Sequence, residues 1–374
     1  VSTATARYSR VGLEGQRVGA FRIPTDALES DGTYEWDHTT LVVTEIASNG
    51  QTGVGYTYAG AGVALMIEEQ LTGVLKRHDL LDTEAVWHDC YAQLRNEGRQ
   101  GASSAAVSAV DVALWDLKAK LLGVPLVKLF GQVREALPLY GSGGFTSYSD
   151  RQLQQQFEGW AQQGISRFKM KVGRNLDRDP ARVGVARATI GASAELFVDA
   201  NSAYTCAQAR EIGERFAQEF DVRWLEEPLL PEDIGGMHYL RDHLPAGMEL
   251  AEGEYGYDVD YFRRLLAGQA VDVAMADATR CGGITGFFKI AHFCAAQHVP
   301  LSSHCAPALH VHPGCAVEGL RHAEYFHDHE RIEQMLFEGT PMPVKGALYP
   351  NLNVAGHGLI FKWKDAERYA VKYG

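Results

Sequence analysis

The sequence predicts an α/β fold, a parallel β/α barrel carried behind a smaller α+β unit. Three observations point there. Between residues 137 and 325, eight short apolar runs alternate with helix-sized segments over roughly 190 residues, a pattern that fits a closed parallel barrel better than an open doubly wound sheet. No G-x-G-x-x-G follows any of these runs to open a helix, so a dinucleotide fold has no support. The chain has 374 residues, too many for one small core, which calls for a companion domain.

The N-terminal part, up to about Ala59, reads as a β meander. Gly19 to Ile23, Thr39 to Ala47 and Gly53 to Tyr58 are strand-like, and Ser48-Asn49-Gly50 is a hairpin turn. Between the first two strands, Pro24 to His38 reads as a polar loop. It carries Asp26, Glu29, Asp31, Tyr34, Trp36, Asp37 and His38, more hydrogen-bonding groups than a connector needs, although a solvated loop has a similar composition. Helical stretches follow near residues 61–76, 83–97 and 102–122. In the third, Val107, Val110, Leu114, Leu117 and Leu121 recur at steps of three and four until Gly123-Val124-Pro125 stops the run. Asp111, Trp115 and Asp116 on that helix are assigned to packing or surface.

The barrel strands are expected at 137–141, 166–172, 195–199, 222–226, 249–253, 271–276, 299–303 and 321–325. Helix-sized gaps separate them, such as Asp179 to Ile190, Thr205 to Phe220 and Thr285 to Gln297. The tail from Phe337 to Gly374, ending in a helix-like Asp365 to Val371, is too long for a ninth unit and is expected to pack back on the first domain.

A formal net charge of −12 argues against a nucleic-acid partner, and no lysine/arginine block forms a basic patch. Val1 to Arg10 lacks the apolar core of a signal peptide and no later run reaches bilayer length, so a soluble protein with no membrane partner is expected. Cys90, Cys206, Cys281, Cys294, Cys305 and Cys315 form no C-x-x-C pair, which suits reduced thiols and the cytoplasm.

Within the barrel segment, Phe168-Lys169-Met170-Lys171-Val172 places two lysines on one side of a strand. About 6 Å apart at an effective dielectric near 20, they would repel by roughly 3 kcal/mol, enough to lower one lysine by about two pKa units. Such a lysine is a base near neutral pH. An isolated K-x-K is more often a wet edge strand, so the surroundings decide.

The surroundings form a ladder. Lys171, Asp199, Glu226, Glu254, Asp277, His304 and Glu324 each stand at or just past the end of an apolar run, and in a β/α barrel those ends open on one mouth. One acid after a strand is an ordinary helix cap or turn residue. Seven polar ends in succession are not. Three carboxylates on adjacent strands suit Mg²⁺, a hard cation with oxygen ligands, better than zinc. Strand alternation leaves open which of Glu226 and Glu227, and which of Glu252 and Glu254, points inward. Asp277 beside His304 provides a carboxylate that fixes an imidazole tautomer and makes the other nitrogen a base or acid. His292, His298, His310, His312, His322, His327 and His329 show no H-E-x-x-H spacing and are read as surface or packing residues.

Taken together, Lys169-Met170-Lys171, Asp199-Ala200-Asn201, Glu226-Glu227-Pro228, Gly253-Glu254, Asp277 through Arg280-Cys281-Gly282-Gly283, Ser303-His304 and Ala323-Glu324-Tyr325 resemble the enolase superfamily, mandelate racemase subgroup. The resemblance covers essentially the whole chain. It implies a modified (β/α)7β barrel over 131–340 under an α+β capping domain at 1–130, completed by a C-terminal segment at 341–374. It further implies one essential Mg²⁺ held by Asp199, Glu226 and Glu254, the Gly-Glu order choosing Glu254. Lys171 resembles the base on one face of the substrate, and His304, paired with Asp277, its counterpart on the other. Glu324 resembles the acid that hydrogen-bonds the enolate, and Lys169 the residue that contacts the substrate carboxylate and depresses Lys171. The muconate-lactonizing subgroup is similar but carries a lysine where Asp277 stands.

The implied chemistry is removal of a proton α to a carboxylate to give a metal-stabilised enediolate. Dehydration of an acid sugar, aldonate or aldarate, to a 2-keto-3-deoxy acid is the leading expectation; racemisation or epimerisation of a 2-hydroxy acid is the alternative, and a non-catalytic relative a third. Asn201, Lys169 and, on the polar loop resembling the family's capping loop, Asp26 and His38 are the candidate substrate-binding residues. A small-molecule carboxylate substrate and a homo-oligomer are the expected partners.

Overall fold

The computed structural model describes residues 9–372. Val1 to Tyr8, most of the stretch read above for a signal peptide, and Tyr373 and Gly374 lie outside the described residues.

Strands β1 (Gly15–Ser30), β2 (Glu35–Ser48) and β3 (Gln51–Tyr58) form an antiparallel sheet. At the β2–β3 turn Asn49 and Gly50 take positive φ values of 49° and 71°, as a two-residue hairpin turn requires. The polar loop, in contrast, is mostly strand. β1 and β2 stay in register from Gly15↔Ala47 to Pro24↔His38, bulge, and pair again at Glu29↔Trp36 and Ser30↔Glu35. Only residues 31–34 turn, where Asp31 Oδ1 accepts from the Thr33 and Tyr34 N–H groups at 2.6 Å each. Extra residues in the bulge break the alternation of faces, which is why the hairpin reads as a loop in sequence.

The first expected helix is divided into α1 (Gly62–Met66) and α2 (Thr72–Arg77) by a π-helical turn at Ile67–Leu71. α3 (Thr83–Gln93) stops short of residue 97, ahead of Gly98 at φ 88°. α4 (Ala102–Leu122) packs along β3 and ends at Gly123, φ 68°. Its Asp111 and Asp116 are buried rather than at the surface. Asp116 accepts from the Val54 and His357 N–H groups, both at 2.9 Å.

After α5 (Leu126–Phe130), strands and helices alternate: β4 (Leu137–Gly143), α6 (Asp150–Gln162), β5 (Arg167–Lys171), α7 (Asp179–Ile190), β6 (Glu195–Asp199), α8 (Cys206–Phe220), β7 (Val222–Glu226), α9 (Ile234–His243), β8 (Glu249–Glu252), α10 (Val259–Ala267), β9 (Val273–Ala276), α11 (Gly283–Ala296), β10 (Leu301–Ser303), α12 (Pro307–Gly314) and β11 (Leu320–Phe326). Neighbouring strands are parallel, and β11 pairs with β4 (Glu324↔Tyr140) to close the barrel. This is the (β/α)7β arrangement. Tyr140, Phe197, Trp224, Val273 and Met275 pack inside the barrel with the His322 ring among them. That filling leaves the C-terminal strand ends as the open mouth.

α13 (His327–Leu336) follows, and the tail then returns to the capping sheet. The His357 ring lies 2.8 Å from Val54 O, and the Val371 N–H donates to Ala20 O at 2.8 Å. No helix among the described residues is long and apolar enough to cross a membrane. All six cysteines are free.

Candidate active site

Each member of the polar ladder stands at the barrel mouth. Lys171, Asp199 and Glu226 end β5, β6 and β7 and are paired in register. Glu254 and Asp277 follow β8 and β9, His304 follows β10, and Glu324 lies within β11; all seven are buried.

The structure resolves the two ambiguous pairs. Glu226 points into the barrel, where Lys169 Nζ and Trp224 Nε1 both donate to it. Glu227, at φ 42°, turns away and accepts from Asn201 Nδ2 at 3.2 Å. Glu252 Oε1 is taken by the Gly253 N–H and the Tyr261 hydroxyl, outside the barrel bore. Gly253 then swings Glu254 inward at φ 140°. A Cβ there would lie 2.1 Å from Met275 O, so only glycine permits this turn.

Asp199, Glu226 and Glu254 each offer an oxygen within 4.8 Å of the others. Glu254 Oε2 is buried and accepts no short hydrogen bond; His304 Nε2 stands 3.4 Å from it. Three converging carboxylates, one with an oxygen that lacks a short hydrogen bond, fit a hard divalent cation.

Opposite β5, His304 Nδ1 lies 2.8 Å from Asp277 Oδ2. Asp277 is itself fixed, its Oδ1 accepting from the Thr279 N–H and hydroxyl at 2.7 Å each. The other imidazole nitrogen, Nε2, faces Glu254 Oε2 at 3.4 Å and Cys305 Sγ at 3.2 Å. Burial alone would push the His304 pKa down, but Cys305, Glu254 and Glu324 hold it well above its ordinary value. Asp277 is held low despite burial, through its hydrogen bond to His304.

The lysines depart from expectation. Burial and the Lys169 charge both push Lys171 down, but Asp199 at 2.5 Å outweighs them and its pKa is raised. Lys169 is wholly buried beneath the cavity floor, in contact with Glu226, with Glu324 at 2.8 Å and with Asp199 at 3.3 Å. It therefore does not stand on the cavity wall, where contact with a substrate carboxylate was expected. Burial would raise Glu324, but Lys169 and His304 hold it below the usual carboxylate range. Its oxygens accept from Ser142 Oγ at 2.6 Å and the Cys305 N–H at 2.8 Å.

Above the floor lies a cavity of about 520 Å³. Lys171, Asn201, Glu254, His304 and Glu324 line its lower part, and Tyr34, Trp36, Asp37 and His38 of the β1–β2 hairpin its wall. The hairpin tip is fastened to the barrel by Thr33 Oγ1 donating to Asn201 O at 3.1 Å and Thr146 Oγ1 donating to Asp31 O at 2.7 Å. His38 and Asn201 thus reach the cavity. Asp26 does not; it faces a separate cleft and pairs with His327. Tyr255, Arg280, Cys305 and His329 are among the lining residues given no catalytic or binding role in the sequence reading. Arg280, three residues beyond Asp277 on the same strand-end loop, could have been found by that spacing. Its Nη1 is 3.3 Å from Glu254 Oε1 and its Nε 3.7 Å from Asp277 Oδ2.

The sequence matches two family descriptions, "Mandelate racemase / muconate lactonizing enzyme, N-terminal domain" over residues 32–131 and "Enolase C-terminal domain-like" over residues 152–365. It is 32% identical over 367 residues to the 3,6-anhydro-alpha-L-galactonate cycloisomerase of Streptomyces coelicolor, covering 96% of this chain and 99% of that one. A mandelate racemase/muconate lactonizing enzyme-like protein from Rubrobacter xylanophilus is 48% identical and superposes with a TM-score of 0.94, covering 97% and 100% of the two chains. L-talarate/galactarate dehydratase from Salmonella typhimurium, solved with Mg and L-lyxarohydroxamate, gives a TM-score of 0.88 at 27% identity, covering 100% and 97%.

Proposed function

Because the chain belongs to the mandelate racemase/muconate lactonizing enzyme family of the enolase superfamily, we propose that it dehydrates an acid sugar to a 2-keto-3-deoxy acid in a Mg²⁺-dependent reaction. The observation that carries this reading is the placement of two proton-transfer groups, Lys171 and the His304–Asp277 pair, with the carboxylate triad on the strands that separate them. A scaffold that only kept the fold needs no such matched set.

When bound at Asp199, Glu226 and Glu254, Mg²⁺ would supply positive charge to the substrate carboxylate as the α proton leaves. Lys171 Nζ would take that proton on one face once Asp199, which holds it protonated here at 2.5 Å, is engaged by the metal instead. The Lys169 charge beneath it is then left to favour the neutral amine. The electron pair left at the α carbon forms a double bond to the β carbon as the β C–O bond breaks. His304, held through Nδ1 by Asp277, delivers its Nε2 proton to the departing hydroxyl, which leaves as water. The enol product becomes the 2-keto-3-deoxy acid by moving its hydroxyl proton to carbon.

The wall supports a monocarboxylic substrate, an aldonate in preference to an aldarate. Asp31, Glu35 and Asp37 stand there, and Arg280 is already shared between Glu254 and Asp277. A second carboxylate at the far end would meet like charge. Among the relatives, the cycloisomerase is named for a galactonate and the dehydratase for the aldarates talarate and galactarate, so the names alone do not choose between the two classes.

Product formation across a library of aldonic and aldaric acids with Mg²⁺ tests the proposal. A 2-keto-3-deoxy acid from an aldonate is expected; none from any member would sink it. Lys171 and His304 on separate strands also permit racemisation or epimerisation, and solvent deuterium incorporated at the α carbon without loss of water would favour that reading. Exposed Met342, Val344, Tyr349 and Leu352 on the tail support a homo-oligomer, and the free cysteines suit a reducing compartment such as the cytoplasm.

A further inference from the structure

Outside the barrel mouth, the described residues contain a second set of metal-ligating side chains that the proposed reaction does not use. Asp26 and Glu29 come from the bulged end of β1, and His327 opens α13 directly after β11. One ligand atom from each lies within 4.8 Å of the other two. We infer that Asp26, Glu29 and His327 form a site for a first-row transition-metal dication, separate from the carboxylate triad, that ties the capping hairpin to the barrel.

The strongest support is Glu29. It is fully buried, and its Oε2 accepts from Trp36 Nε1 at 2.8 Å while its Oε1 has no hydrogen-bond partner. A buried carboxylate oxygen without a donor is costly, and a cation would satisfy it. The neighbouring cation does not meet the need. Arg331 Nη2 is engaged with Asp328 Oδ1 at 2.6 Å and Pro24 O at 2.7 Å, and its Nε, also buried, makes no hydrogen bond to Glu29 or to any other group among the described residues. The other Asp328 oxygen is taken by the Thr39 hydroxyl.

The remaining two ligands are arranged and reachable. His327 Nε2 sits 3.0 and 3.2 Å from the two Asp26 carboxylate oxygens. Both residues line a cleft of about 430 Å³ with Tyr148 and Gln152. One imidazole and two carboxylates suit Zn²⁺, Ni²⁺ or Mn²⁺, whereas the all-oxygen triad suits Mg²⁺. The two sites therefore differ in metal preference as well as in position. Trp36, which Glu29 holds, lines the active cavity, so metal in the outer site would fix part of the wall that faces substrate.

Zinc binding measured by calorimetry on the full chain, with Mg²⁺ in excess, tests this. One Zn²⁺ per chain is expected, bound at least about tenfold more weakly in both His327→Gln and Asp26→Asn and unchanged in Glu254→Gln. Two variants guard against one that does not fold, and the circular dichroism of each is compared with that of the parent. No zinc binding to the Mg²⁺-saturated protein would overturn the proposal. So would zinc binding that survives both outer-site variants but is lost in Glu254→Gln or His304→Asn, which would place the ion at the barrel mouth.

Discussion

Asp277 Oδ2 stands 2.8 Å from His304 Nδ1, and this contact leaves Nε2 as the imidazole nitrogen that faces the cavity. Asp277→Asn keeps the shape but loses the charge and can present an N–H to the ring, favouring the wrong tautomer. We expect kcat to fall by roughly 10²-fold with KM changed by less than about threefold. An equal loss in KM alone would show that the pair binds substrate instead of moving a proton.

Lys171 and His304 should be separable by isotope exchange. In D₂O, Lys171→Ala is expected to remove α-proton exchange for substrates presenting the proton to β5 while the Mg²⁺-dependent rise in melting temperature persists. Exchange that survives both Lys171→Ala and His304→Asn would defeat the two-sided assignment.

Mg²⁺ should stabilise the native state through Asp199, Glu226 and Glu254. At a hundred times its dissociation constant, one ion contributes about 2.7 kcal/mol. Chelation should lower the melting temperature and abolish turnover together, and Glu254→Gln should remove most of the Mg²⁺-induced shift in differential scanning fluorimetry.

His312 gives a pH dependence whose sign can be worked out. Burial, then the nearby His357, push its pKa down to about 3 against Asp116, and its Nδ1 accepts from the Val127 N–H at 3.1 Å. The unfolded chain binds this proton below about pH 6.5, whereas the folded chain resists it until about pH 3. Stability from this site is therefore intact above pH 6.5 and lost as pH falls toward 3, by up to about 5 kcal/mol. His312→Gln should flatten the acid limb of a melting-temperature profile; an unchanged limb would assign acid lability elsewhere.

Gly55 on β3 lets α4 approach closely, since a Cβ there would lie 2.0 Å from Ala109 O and 2.6 Å from Ala113 N. Both are backbone atoms that cannot rotate away. Gly55→Ala should destabilise the protein by roughly 1–3 kcal/mol or more, read as a lower denaturant midpoint.

The barrel and its mouth were legible because two periodicities agree. Short apolar runs mark strands, and the polar residue ending each run marks the mouth, as Asp199 after Val198 and Glu226 after Leu225 illustrate. The choice of Glu254 over Glu252 needed resemblance in the sequence, yet the structure gives it a local cause in the backbone of Gly253. Other features depend on contacts that no local pattern encodes. The β1–β2 hairpin is hidden by its bulge and by polar side chains on both faces. The direction of the Lys171 shift depends on Asp199, on the neighbouring strand, being nearer in effect than Lys169. Asp26 shares the hairpin with His38, but the bulge turns it to the outer cleft and leaves His38 on the cavity.

α4 and α11 meet through hydrogen bonds as well as apolar contact. Ser108 Oγ accepts from the Gly282 and Gly283 N–H groups at 2.9 and 3.0 Å, and Asp111 accepts from the Thr285 N–H at 2.9 Å and its hydroxyl at 2.6 Å. The start of α11, just beyond Asp277, therefore has its acceptors supplied by the other half of the chain. A barrel excised at residue 131 would expose amide groups that this start has no local means of satisfying. The two halves are consequently not interchangeable modules. A chimera carrying a relative's capping domain would keep the geometry beside His304 only if serine and aspartate came with it at the positions of Ser108 and Asp111.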